Sequence, residues 1–194
     1  MVKLFLIRHG ESEKADPEPV LTVKGKQQSK YLAKSLAQLK ITKVYVSSSQ
    51  RTIETYKYYK VLKPKVPSKI SEQLKEIYRV IVGGPKRIGT PLNREQNDKK
   101  RANKILKEII RNAKENDAIA IFTHGNLIRY ILAHFLNIKN ITLWNQLEIH
   151  DASISLIEII YKKPKVRLIN SIEHLGKKEV EKFYNEYSES NYFS

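Results

Sequence analysis

Three short stretches hold residue types that handle anionic oxygen. Arg8-His9-Gly10-Glu11-Ser12, Ser47-Ser48-Ser49-Gln50-Arg51-Thr52 and Thr123-His124-Gly125-Asn126 each follow an apolar run. An imidazole can be a nucleophile or a proton carrier, and a guanidinium presents a planar fork of N–H donors that matches oxyanions. Phosphoryl transfer asks mainly for positioning and for positive groups where charge spreads over the oxygens. Singly, each group has a plainer use. A strand-end histidine is usually structural, Arg51 could sit on a helix surface, and Ser47 to Ser49 could be helix caps. What decides is whether the three stretches meet.

The elements expected around them say that they do. Val2 to Arg8, Lys43 to Ser47 and "DAIAIFT" before His124 read as short strands, the first and last of them buried. Helices are expected after Thr22 (Tyr31, Leu32, Leu36 and Leu39 at helical spacing), from Gln50, over Glu95 to Asn112 and over "LIRYILAHFL". Pro64 to Pro91, broken by Gly83-Gly84-Pro85, reads as mostly loop, and Asp16-Pro17-Glu18-Pro19 as a loop. Two further strands, Ser153 to Tyr161 and Val166 to Ser171, are expected to form a hairpin across Lys163-Pro164. The tail from Lys177 reads as a last helix or an ordered arm. Strands alternating with helices predict an α/β fold with three layers, α/β/α, a mainly parallel central sheet and an antiparallel edge. Residues 1–194 read as one domain.

Parallel strands put their carboxyl ends on one edge, where open α/β sheets bind ligands. Arg8, His9, Arg51 and His124 are therefore expected to converge, with free N–H groups of two helix starts beside them. In a regular strand Arg8 and His9 would point to opposite faces. They converge only if the strand stops there, and Gly10 is expected to supply the freedom for that turn.

The remaining histidines promise less. His134 lies in an apolar helical run and reads as packing; His150 and His174 read as core or edge residues near the last strands. No HExxH pair or Walker-type loop occurs, and with no cysteine there is no thiolate ligand or disulfide framework. Neither metal nor cofactor is expected. No run approaches the roughly 18 apolar residues of a membrane span, and the first residues lack the order of a secretory signal, so a cytoplasmic protein is expected. Lys and Arg number 36 against 20 Asp and Glu, a formal +16. That field attracts anions, and no zinc-finger or RNA-recognition pattern directs it to nucleic acid.

Across nearly its whole length the chain resembles the histidine phosphatase superfamily, the phosphoglycerate-mutase-like fold. Arg8-His9-Gly10 matches the family's Arg-His-Gly, and Leu21-Thr22-Val23-Lys24-Gly25 its Leu-Thr-x-x-Gly. Its Ser-Ser-x-x-Arg-Thr is similar to the stretch from Ser47 to Thr52, its Leu-x-Glu to Leu74-Lys75-Glu76, and its second histidine segment to Thr123-His124-Gly125. "DASISLIEI" and His174-Leu175 resemble its closing strands. The resemblance implies that His9 is the nucleophile, that Arg8, Arg51 and His124 hold the phosphoryl oxygens, and that Glu76, or failing it Glu72, protonates the leaving oxygen. Glu11, Ser12, Gly125 and Asn126 are expected to join Arg8, Arg51 and His124 in binding substrate.

The expected activity is metal-independent hydrolysis of phosphomonoesters through a phosphohistidine. A phosphoglycerate mutase is the alternative within the family; the stretch after Ser12 departs from the mutase pattern, and the interval from Arg51 to His124 is modest. A non-enzymatic alternative is a basic protein that binds phosphate or nucleic acid on the same fold. The expected partner is a small phosphorylated substrate or a phosphopeptide rather than nucleic acid or membrane, with the chain a monomer or a homodimer. A basic loop at roughly 77–94, with Arg79, Lys86, Arg87 and Arg94, would favour substrates with more than one anionic group if it caps the cleft.

Overall fold

The computed structural model describes residues 1–14, 18–139 and 142–190. The expected loop at Asp16-Pro17 and the end of the tail, 191–194, lie outside the described residues.

Strand β1 (Val2–Arg8) is followed by α1 (Val23–Ala37), β2 (Lys43–Ser47), α2 (Gln50–Leu62), β3 (Ser68–Ser71), α3 (Arg94–Arg111), β4 (Ala118–Thr123), α4 (Gly125–Phe135), the single turn α5 (Leu143–Gln146), β5 (Ile154–Ile160), β6 (Lys163–Ser171) and α6 (Lys177–Ser190). The strands form one six-stranded sheet in the order β3-β2-β4-β1-β5-β6. Neighbours from β3 to β1 run parallel, and β5 and β6 add the antiparallel edge.

Alternation along the central strands builds two cores. Leu4, Leu6, Ile119 and Ile121 pack with Ile105 and Ile109 of α3 and Leu127 and Ile131 of α4. Phe5, Ile7, Val44, Val46 and Phe122 pack with Leu32 and Leu36 of α1 and Tyr56 and Tyr59 of α2. Burial of each such side chain stabilises by about 1.5–3 kcal/mol, so both faces hold the strands in register. The register pairs Arg8 with Thr123, which leaves His9 and His124 as the next residues out of two adjacent strands.

Two local expectations are corrected and one, the mostly-loop stretch, is refined. The stretch read as mostly loop contains β3, a parallel edge strand with Ile70 as its single large apolar residue, itself exposed; four residues paired on one side only leave little hydrophobic signal. The final hairpin turns at Tyr161-Lys162, both with positive φ (47° and 63°), and Pro164 lies in β6 opposite Ile159. Proline is tolerated there because β6 is an edge. His134 is exposed rather than packed, and its ring meets the edge of Phe135.

Gly10 is not a left-handed turn residue; it does not figure among the glycines with positive φ. Its role is proximity. A Cβ on Gly10 would stand 2.6 Å from the carbonyl oxygen of Gly25, and one on Gly25 would stand 1.9 Å from that of Glu11. The first turn of α1 therefore lies directly against the backbone that leaves the sheet after His9, which is why "RHG" and "LTVKG" need each other.

Candidate active site

The chain leaves β1 at Arg8, and the backbone of His9 is pinned on two sides. Its N–H donates to Thr123 O (3.1 Å), and its carbonyl accepts from Ala152 N–H (2.9 Å). The next N–H, that of Gly10, donates to Thr55 Oγ1 of α2 (3.0 Å). The His9 ring, 5% exposed, has Nδ1 2.7 Å from Gly10 O. A carbonyl only accepts, so Nδ1 carries the proton and Nε2 carries the lone pair.

That lone pair faces Arg51, in the first turn of α2, whose Nε donates to His9 Nε2 (2.9 Å). The same guanidinium donates through Nη2 to His124 Nδ1 (3.0 Å). The other nitrogen of His124, Nε2, must then bear hydrogen, and it donates to Ser47 Oγ (2.9 Å) at the end of β2. The two imidazoles meet edge to face with centroids 5.2 Å apart. Both are held neutral. Burial pushes the His9 pKa well below the usual imidazole value, and the charges of Arg8 and Arg51 push the same way. Burial does the same to His124, joined by His9, Arg51 and Arg8.

Arg8 lies on the flank of this pair. It forms an ion pair with Asp151 (2.8 Å) and donates to Ile149 O. Its Nε is a buried N–H with no acceptor among the described residues, 3.7 Å from where a Cβ on Gly125 would be.

Glu76 lies across the helix start. Its carboxylate accepts from the backbone N–H of Asn126 (3.3 Å) and of Leu127 (3.2 Å). Hence two of the N–H groups at the start of α4 that the sequence suggests are free, those of Asn126 and Leu127, are already met by a carboxylate. Burial nevertheless pushes the Glu76 pKa up, against those hydrogen bonds and the charge of Arg8. Glu72 is a different kind of residue. It is exposed and paired with Lys75 at 2.8 Å, which holds its carboxyl below the usual range. A carboxyl held ionised is no proton donor, so the fallback acid is dropped.

Glu11 and Ser12 face α1. Glu11 accepts from Thr22 Oγ1 (2.8 Å) and lies 3.7 Å from Lys24 Nζ, while Ser12 bridges to Leu21. Asn126 donates through its side chain to Ile77 O and accepts from Arg129. His174 Nε2 donates to Ala152 O (3.0 Å), so it braces the loop that receives His9.

Several participants carried no sequence signal strong enough to single them out. Asp151 and Thr55 act as partners of residues already found; Ser47, one of the serines suggested as caps, instead pairs with His124. Arg129 donates to Leu147 O and Asn126 Oδ1. Its guanidinium and that of Arg79 both lie over the ring of Trp144, at 5.4 and 5.6 Å. Beside Arg51 and Glu76 opens a cavity of about 300 Å³ whose wall includes Arg79, Arg87, Arg94 and Trp144. A larger cavity of about 940 Å³ lies elsewhere, against Met1, Phe135 and Tyr161, and contains none of the groups gathered at His9.

Comparison with known proteins identifies a family and a fold. The family model described as "Histidine phosphatase superfamily (branch 1)" matches residues 4–88 and 91–172. A Schizosaccharomyces pombe protein named as a probable phosphatase is 34% identical over 82 residues, 39% of this chain and 39% of its own length. The matched stretch thus spans about two fifths of that relative. Among solved structures, Bacillus stearothermophilus YhfR superposes with a TM-score of 0.75 at 22% identity, covering 91% of this chain and 100% of its own. A phosphoserine phosphatase variant from Entamoeba histolytica, crystallised with phosphoserine, gives a TM-score of 0.71 at 23% identity and the same coverage.

Proposed function

This chain belongs to the histidine phosphatase superfamily, and from that premise we propose that it hydrolyses phosphomonoesters through a phosphohistidine formed on His9. The observation that carries the reading is the single guanidinium of Arg51 joined to the lone pairs of both His9 and His124. Two neutral imidazoles and a cation are gathered at one point, with Arg8 beside them.

A phosphoryl group entering this place gives the guanidinium better acceptors than two neutral nitrogens, since charge-assisted bonds are roughly twice as strong. Arg51 turns to the oxygens and frees His9 Nε2. The Nε2 lone pair attacks phosphorus as the bond to the leaving oxygen breaks, and Glu76 gives its proton to that oxygen. Arg51 and the unused Nε–H of Arg8 stabilise the equatorial oxygens. The dianion raises the affinity of His124 Nδ1 for a proton, and one taken up from solvent with the substrate turns that nitrogen from acceptor to donor. Glu76, now ionised, accepts a proton from water as the water oxygen attacks phosphorus, and the P–N bond returns its electron pair to His9.

Both relatives whose names state an activity are phosphatases, which favours hydrolysis over mutase chemistry. A protein that only binds has no need of a bare Nε2 held toward a guanidinium. The same reading carries metal independence and a cytoplasmic location; no helix among the described residues is long and apolar enough to cross a membrane. The test is hydrolysis of p-nitrophenyl phosphate in EDTA. Wild-type protein turns it over, the His9→Ala protein does not, and quenching in alkaline SDS, which spares the acid-labile P–N bond, traps phosphate on the wild-type chain alone. Turnover that persists in His9→Ala overturns the reading.

A further inference from the structure

We propose that Arg101 is a positioning residue: reaching from α3, its guanidinium holds the backbone that carries Glu76 and so aims that carboxyl at the leaving oxygen. The inference rests on the phosphatase reading above and adds to it the device that sets its acid.

Glu76 stands in a stretch with no ladder of its own. A single 3₁₀ turn, Glu72–Leu74, ends just before it, and the next begins at Arg79. The last carbonyls of a helical turn have no partner inside it, and buried backbone groups need one. Apolar anchoring is present, since Leu74 and Ile77 are buried. Hydrophobic contact is non-directional, so it fixes where the segment lies without fixing how it is turned.

Arg101 supplies the direction. Its Nη1 donates to the carbonyls of Gln73 (3.0 Å) and Lys75 (2.7 Å), with that of Glu72 at 3.3 Å. Its Nη2 donates to the carbonyl of Glu76 itself (3.1 Å) and to Asp98 Oδ1 (2.7 Å). The other oxygen of Asp98 accepts from the N–H of Tyr78 (2.8 Å). Helix α3 therefore grips the chain by its acceptors up to Glu76 and by a donor just beyond it.

This is more than a surface ion pair. The side chains of Arg101 and Asp98 are 21% and 13% exposed, and charge-assisted bonds withdrawn from water are the strong ones. A salt bridge serving only the helix would need none of the four carbonyls. Nor does Arg101 stand in the wall of the cavity beside Glu76, so it acts through the carboxyl it places rather than on substrate. A reacting group misplaced by about 1 Å can cost about a hundred-fold in rate.

The test compares two substrates by kcat/KM, which covers the steps up to release of the leaving group. Glycerol 3-phosphate, an alkyl ester, needs the proton of Glu76; p-nitrophenyl phosphate does not. In Arg101→Met protein we expect the alkyl ester to lose roughly ten- to a hundred-fold and the nitrophenyl ester less than about three-fold. Arg101→Lys, which keeps the charge but not the fork, should lie between Arg101→Met and wild type, and it carries the comparison should Arg101→Met not fold. Placed on Glu76→Gln, the Arg101 substitution should cost the alkyl ester little more, since residues that act as a unit are not additive. Without any turnover, the amides of Asn126 and Leu127, which donate to the Glu76 carboxylate, should exchange hydrogen faster in the variant. Equal loss on both esters, loss that adds in full to that of Glu76→Gln, or unchanged exchange makes Arg101 a structural residue only and overturns the proposal. If wild-type protein hydrolyses neither ester, the phosphatase reading fails and takes the proposal with it; if it hydrolyses them, failure of the Arg101 comparison leaves that reading standing.

Discussion

The Nε–H of Arg51 points at the lone pair of His9 Nε2 from 2.9 Å. One contact thus keeps the imidazole unprotonated and covers the nitrogen that is to attack. Lysine offers a point charge and cannot reach both rings in a plane. Arg51→Lys is expected to lower kcat/KM for p-nitrophenyl phosphate by ~10²–10³, the range for loss of an oxyanion donor. Steady-state kinetics check this, and a loss below about five-fold would contradict the role given to Arg51.

The pH profile follows from two displaced groups. His9 must be neutral to attack, and its pKa lies well below 6.5, so the acidic limb of kcat/KM falls below that value. Glu76 must hold a proton, and its pKa is raised, so rate is lost as pH climbs past it. Glu76→Gln should remove the basic limb. It should cost an alkyl phosphate ~10²–10⁴ in rate, and nitrophenyl phosphate, whose leaving group needs no proton, much less.

Ser47→Ala leaves the buried Nε2–H of His124 with only Thr52 Oγ1, at 3.5 Å. An unsatisfied buried donor costs ~1–3 kcal/mol, readable by urea denaturation. A looser His124 ring should also lower kcat more than it raises KM.

His174 contributes to acid stability, alongside the buried His9 and His124. Its folded pKa is depressed to about 4 against about 6.5 unfolded. Between those values the unfolded chain binds the extra proton, so stability rises with pH across that window and is lost as pH falls through it. The linked contribution at pH 7 is ~3 kcal/mol. Urea midpoints at pH 7 and pH 4.5 should converge in His174→Gln relative to wild type.

The two glycines at the α1 contact make a structural pair. Gly25→Ala brings a Cβ to 1.9 Å from the carbonyl oxygen of Glu11 and should destabilise by ~2–3 kcal/mol, as overpacking does. Gly125→Ala meets nothing closer than the movable end of Arg129, at 3.3 Å, with Arg8 at ordinary contact distance, and should cost far less in the same denaturation assay.

The strands that carry chemistry were legible because each is a dense apolar run ending in polar groups, and because parallel neighbours must end together. His9, Arg51 and His124 meet for that reason. What escaped has its own physics. β3 is short, exposed and paired on one side only, so it leaves no periodicity to read. The filling of the α4 start by Glu76 depends on a chain path through turns, which hydrophobic spacing does not encode. At Gly10 the sequence shows only that a glycine is present, which suggests freedom to turn, whereas the need it meets is a second backbone lying against it. Arg79, Arg87 and Arg94 were legible as one basic loop, but that Trp144 packs beside them was not, since it comes from a segment far along the chain brought in by packing.

Strand β4 enters the sheet between β2 and β1, although both of those precede it in the chain. A growing polypeptide therefore carries its nucleophile for much of synthesis before the strand that completes the pocket has left the ribosome. Until that wedge is driven home, His9 lacks its imidazole neighbour, and Thr123 O is not there to hold its backbone. Phosphate-cleaving competence should consequently switch on late, once β4 has wedged in and the segment 149–152 behind it has reached Arg8 and His9.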